Sequence, residues 1–151
     1  MAVALGQHIR DNAAMVRLTF KIILAVFMIF VGVQHFINPA PFVRIVPDYL
    51  PWHLEIVYIS GFFEALGGIG LLIPRLTRYA AWGLVALYVA VFPANLNMAL
   101  HQLPFGDSPT PQWALWLRLP VQALLIWWAY CYTKWYPENL SRRPLDEKFP
   151  I

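Results

Sequence analysis

Four apolar blocks divide the chain: Leu18–Ile37, Leu54–Ile73, Tyr79–Leu100 and Trp113–Tyr132. Each is about 20 residues long, the length of helix that crosses a hydrocarbon core of about 30 Å. None carries a polar stripe at helical spacing, which a helix at a water-facing surface needs. The pattern predicts an all-α fold, a four-helix transmembrane bundle in one domain over 1–151. Asn38-Pro39 and Pro41 stop the first helix, since proline donates no N–H and restricts the residue before it. The connection that follows, NPAPFVRIVPDYLPWH, is an apolar, proline-rich outer loop between helices 1 and 2. Besides its prolines it holds Phe42, Val43, Ile45, Val46, Tyr49, Leu50 and Trp52. Too apolar for a solvated linker, it reads either as a cap on the outer mouth of the bundle or as an anchor among the headgroups. Pro74 ends the second block and Thr77 is available to cap the next helix, so these two are antiparallel neighbours. The third connection, HQLPFGDSPTPQ, is a polar loop. Residues up to about Val16 read as a short, partly amphipathic lead, and Lys21 can reach back to the headgroups. No cleavable signal is expected, because the first apolar run is as long as a span.

Composition agrees with this pattern. Hydrophobic residues make up 60% of the chain and charged residues only 13%. Mean hydropathy is +0.55. The net charge of +3 would suit nucleic acid, but its placement gives a better account. Arg10, Arg17, Lys21, Arg75, Arg78, Lys134, Arg142, Arg143 and Lys148 all fall on one side of a four-span chain. Only Arg44 falls opposite, and Arg118 lies within the fourth block. Positive residues stay inside, so both termini are expected in the cytoplasm. The excess charge then meets anionic lipid, and no nucleic-acid partner is expected. Trp52, Trp113 and Trp116 on one side, with Tyr79, Trp82, Trp127, Trp128, Tyr132 and Trp135 on the other, form interfacial belts. The single cysteine, Cys131, excludes an internal disulfide, a CxxC redox pair and a cysteine zinc site.

Few polar residues interrupt the blocks, and these carry the candidate chemistry. Glu64 lies ten residues into the second block, about 15 Å deep at the helical rise, near the bilayer midplane. A carboxylate there is costly unless it is neutral, paired or beside a water-filled cavity, which makes it a candidate proton relay or a structural partner of Arg118 or Gln122. Arg118 and Gln122 are four apart, as are Asn97 and His101, so each pair shares a face. With His35 near the outer end of the first helix, these residues predict a cavity with a polar outer half and Glu64 at its floor. Glu64 and Arg118 are expected to share that cavity and to be coupled. Gly61 and Gly68 share the face of Glu64, and Gly67 and Gly70 widen it into a close-packing surface. Two lone histidines without a third ligand do not make a metal or haem site, so no intrinsic cofactor is expected.

Gly32-x-x-His35-Phe36-x-x-Pro39 and Ile45-Val46-Pro47-x-x-Leu50-Pro51 resemble the first half of DoxX-like membrane proteins. Ser60-Gly61-x-x-Glu64-x-x-Gly67-Gly68-x-Gly70-Leu71-Leu72-x-Pro74 is similar to that family's second span, and Phe92-Pro93-Ala94-Asn95-x-x-Met98 to its third. The resemblance covers about residues 24–100. It implies a four-helix bundle of the bacterial inner membrane, in a setting of quinone-coupled or oxidative-stress redox chemistry, and it supplies no catalytic residues. Three functions follow as expectations. The first is an accessory protein that binds a quinone or another apolar molecule through His35, Glu64, Asn97, His101, Arg118 and Gln122. The second is an assembly subunit of a membrane redox complex without ligand chemistry. The third is a transporter, which four spans would permit only as a homo-oligomer.

Overall fold

A computed structural model describes residues 2–106 and 110–134. Five helices follow in order: α1 (Ala2–Ile37), α2 (Ala40–Val43), α3 (His53–Leu72), α4 (Thr77–Leu100) and α5 (Gln112–Tyr130). There is no strand among the described residues. Position 107 and the basic tail, with Arg142, Arg143, Lys148 and Trp135, lie outside them. The four apolar blocks become α1, α3, α4 and α5. The expected lead is not separate, because α1 already runs from Ala2. No proline precedes Pro39, and once nucleated a helix extends until something breaks it. At 1.5 Å per residue, α1 measures about 54 Å, well beyond one bilayer core.

α1 from Asp11, α3 and α4 are each long and apolar enough to cross a membrane. α5 carries Arg118, Pro120 and Gln122 and falls short of that measure. Phe30, Ile59, Phe62, Phe63, Val89 and Leu124 are each more than half exposed. A water-soluble surface would not leave so much apolar area uncovered, so these faces belong to lipid and the chain is a membrane protein.

The long helices pack as a row, α1 on α3, α3 on α4 and α4 on α5. The row closes at one end. There the Phe20 ring meets Trp128 edge-on at 5.9 Å, and the Tyr132 hydroxyl donates to the Arg17 carbonyl at 3.0 Å. Leu24, Met28, Leu71 and Leu84 fill the core beside it. Lys21 is buried, not extended to the headgroups. It shares one helical face with Leu24, Ala25 and Met28, and that face turns into the bundle. At the other end the segment 38–52 folds over the helices. Ile45 packs with Met98 and Leu115, and Arg44 donates to the Gly106 carbonyl at 2.6 Å. The segment packs on this end of the bundle, while its Tyr49 and Trp52 stay exposed.

The glycines of α3 divide between two neighbours. A Cβ on Gly68 would lie 2.7 Å from the Ala25 carbonyl, and one on Gly61 would collide with His35 Cβ. On α1, a Cβ on Gly32 would lie 2.6 Å from the Ala65 nitrogen. These three let α1 and α3 touch backbone to backbone. Gly67 and Gly70 instead face Leu84 and Ala80 of α4. Thr77 does not cap α4. It is the first residue of that helix, and its hydroxyl turns back to the Leu71 and Ile73 carbonyls, each at 3.1 Å. It thus satisfies the end of α3.

Candidate functional site

At the end covered by 38–52 the four long helices diverge around a cavity of about 370 Å³. α1 contributes Phe27, Val31 and His35, and the covering segment Phe42, Ile45 and Val46. α3 supplies Ile56, Val57, Ser60 and Glu64; α4 supplies Leu87, Tyr88, Val91, Ala94 and Asn95; α5 supplies Arg118, Val121, Gln122 and Leu125. The α4 positions recur at i, i+1, i+4, i+7 and i+8, one face of a helix.

Glu64 is 5% exposed and sits in a short polar chain. The Tyr88 hydroxyl donates to Glu64 Oε1 at 2.6 Å and also lies against the Met28 sulfur. On the other side, His35 Nδ1 is 3.7 Å from Glu64 Oε2 and 2.9 Å from the Val31 carbonyl. Both neighbours of Nδ1 are acceptors, so we assign the ring proton there, which leaves Nε2 with a lone pair. The Phe42 ring stacks on the imidazole at 3.8 Å. Gly61, one turn before Glu64, supplies the clearance that brings His35 close to it. His35, Glu64 and Tyr88 therefore come from three helices, α1, α3 and α4, that are locked by packing.

A second chain joins α4 to α5. Pro93 interrupts α4 and removes the N–H that would reach the Val89 carbonyl. At the adjacent Tyr88 carbonyl, Gln122 Nε2 donates at 2.6 Å. Gln122 Oε1 accepts in turn from Asn95 Nδ2 at 3.0 Å. The amide pair thus ties α5 to α4 beside the proline, at a carbonyl next to the one that Pro93 frees. Ser60 donates to its own helix, to the Val57 carbonyl at 2.9 Å.

Four of the expected site residues, His35, Glu64, Arg118 and Gln122, line the cavity together. Asn97 and His101 do not. Asn97 Nδ2 donates to the Ile45 carbonyl at 3.1 Å and so fastens the cap. His101 is exposed, with Nδ1 3.1 Å from the Asn97 carbonyl. Both lie roughly 100° around α4 from the cavity-lining face, counting 100° per residue. Glu64 and Arg118 share the cavity, but no ion pair joins them: Glu64 is held by Tyr88 and His35, while the Arg118 guanidinium carbon lies 3.9 Å above the Phe105 ring. Tyr88 and Asn95 are additions that the sequence reading passed over. Among the described residues no group of three or more His, Cys, Asp or Glu side chains could hold a metal ion.

Fold and site together define a helical membrane protein with an internal, mostly apolar cavity and a few fixed polar groups. The family described as "Domain of unknown function (DUF8561)" matches residues 24–133, most of the chain and all of the cavity lining, and the protein belongs to that family. No curated protein and no solved structure matches it.

Proposed function

We propose that this is a four-span protein of the bacterial inner membrane that holds a lipid-soluble molecule of quinone type in its cavity, as an accessory to membrane redox chemistry. The observation that carries the reading is the cavity: about 370 Å³, walled largely by Val, Ile, Leu and Phe, with His35, Glu64, Asn95, Arg118 and Gln122 at its polar points. Binding sites for small molecules have this size and this mixture. α5 serves as the fourth span because its polar side chains face inward, Gln122 being buried, while Leu117, Leu124 and Trp127 face lipid. The basic residues at the closed end of the bundle support cytoplasmic termini, with the cavity toward the outer side. The DoxX-like likeness supports the redox setting, since His35, Glu64 and Asn95 of its motifs line the cavity. His35 Nε2 would accept from a ligand hydroxyl, and Glu64 would pass a proton through Tyr88 or His35. Electrons would come from a partner, a membrane redox complex or another copy of the chain.

The test is extraction of the protein after purification in mild detergent, with mass spectrometry of the organic phase. A lipid-soluble, oxygen-bearing species is expected at near-stoichiometric amount, and Ser60→Trp, which fills the cavity, should lose it. If the wild type and the filled variant carry the same molecules, the cavity is no ligand site and the assembly-subunit reading takes its place.

A further inference from the structure

We propose that the cavity is loaded sideways from the bilayer, between α1 and α5, by a single-chain amphiphile whose anionic head pairs with Arg118. The proposal rests on the reading of the cavity as a ligand site and departs from it in the ligand, an anionic amphiphile in place of a quinone. The route follows from how the row of helices closes. α1 and α5 meet through Phe20 with Trp128 and through Tyr132 with Arg17, all at the closed end. Toward the covered end, α1 packs on α3 and α5 on α4, and no comparable packing joins α1 to α5. Phe27 of α1 and Val121 of α5 both line the cavity, yet they are 43% and 45% exposed on the outside of the bundle. The cavity therefore reaches the lipid-facing surface through this seam. The glycine contacts close the seam between α1 and α3, and the segment 38–52 covers the end of the bundle.

The head group follows from charge. An arginine does not lose its proton, and in a membrane interior it needs an anion or water. Arg118 lines the cavity, and among the described residues no carboxylate pairs with it. Both oxygens of Glu64, the one carboxylate in the lining, face other partners, Tyr88 and His35. The guanidinium rests on Phe105, which leaves its N–H edge for a ligand. A planar carboxylate or a phosphate suits that fork. Arg118 is one turn from Gln122 toward the covered end, so a head bound there stays clear of Glu64. The chain would run past Val121, Leu125 and Phe27 and out through the seam into lipid.

The experiment is scintillation-proximity binding of tritiated oleate to the full chain in detergent. Competitors are oleyl alcohol, oleoyl lysophosphatidic acid and a decyl-benzoquinone. At least one of the two acids should bind tenfold or more tightly than the alcohol, and the tighter of them distinguishes a carboxylate from a phosphate head. Arg118→Gln should close the gap between acid and alcohol while alcohol affinity holds, which also reports that the variant folds. Arg118→Lys should keep part of the gap, since it retains the charge and loses the fork. Val121→Trp, set in the seam, should slow oleate association several-fold. Acids and alcohol of equal affinity in the wild type, or equal losses in Arg118→Gln, would overturn the anionic head. An unchanged association rate in Val121→Trp would remove the sideways route. If the quinone binds and the acids show no advantage, this inference fails while the ligand-site reading stands. If none of the four binds, both fail.

Discussion

Replacing Tyr88 by phenylalanine removes one oxygen and leaves the ring in place. That oxygen donates to Glu64 Oε1 at 2.6 Å, at the short end for an O–H···O bond. Phenylalanine strands a buried acceptor, and an unmet buried partner costs about 1–3 kcal/mol. Side-chain hydrogen bonds inside membranes average about 0.6 kcal/mol in double-mutant cycles and reach about 1.7 kcal/mol. The short distance and the 5% exposure of Glu64 place this one in the upper half of that range, about 1–1.7 kcal/mol of coupling. Glu64→Met removes the acceptor with little change in length. In the Tyr88→Phe, Glu64→Met double variant no polar partner is left stranded, so it should be more stable than the sum of the single losses predicts. The assay is reversible unfolding in mixed micelles, followed by circular dichroism. A parallel cycle pairs Glu64→Met with Arg118→Met, and it should be additive within about 0.5 kcal/mol because the two share no partner. Additivity for Tyr88 together with coupling above about 1 kcal/mol for Arg118 would show that Glu64 answers to the arginine and would refute the polar chain described here.

Gly32→Ala should destabilise by about 1–3 kcal/mol in the same unfolding assay, since its Cβ meets the backbone of Ala65 and Gly61, which cannot yield. Gly83→Ala, with nothing within 4 Å of its Cβ, should instead be neutral or gain up to about 1 kcal/mol. Gln122→Leu should cost about 1–3 kcal/mol, because it leaves the Asn95 amide without its acceptor and removes a side-chain donor from the Tyr88 carbonyl. Purified protein should show no Soret band with or without His35→Ala, because among the described residues no second histidine joins His35 in the cavity lining. A cysteine placed at 107 in a Cys131→Ser background should be labelled from outside the cell by an impermeant maleimide, and labelling from the cytoplasm alone would invert the topology.

The long helices were legible because membrane spans announce themselves by length and by apolar runs, and Pro39 and Pro74 mark where they stop. Glu64, His35, Arg118 and Gln122 were legible for a related reason: each is a costly exception in an apolar block, and such exceptions need an inward-facing place. α4 was harder. Its side chains are apolar all round, so nothing in the sequence says which face turns inward. Asn97 and His101 share a face and were chosen for it, whereas Asn95, two residues earlier, points to the cavity. Tyr88 was lost among the many aromatics of the membrane interfaces, because only its depth and its neighbours distinguish it from a belt residue. The separation of Gly61 and Gly68 from Gly67 and Gly70 also needed the structure, as a glycine stripe does not name its partner.

The bonds between α4 and α5 bear on how the chain is made. Pro93 leaves α4 with a weakened ladder, and Gln122 of α5 answers the Tyr88 carbonyl. In hydrocarbon an unmet backbone group costs several kcal/mol, so α4 by itself enters the membrane with a defect. α5 by itself carries Arg118, Pro120 and Gln122 and falls short of the measure for crossing a membrane that the other long helices meet. The Gln122 amide, costly in hydrocarbon by itself, finds both of its partners on α4. During synthesis the pair should therefore leave the insertion machinery as a hairpin, with α4 held at its edge until α5 has emerged from the ribosome. A chain cut after Leu100 would retain three apolar helices and yet be a substrate for membrane quality control.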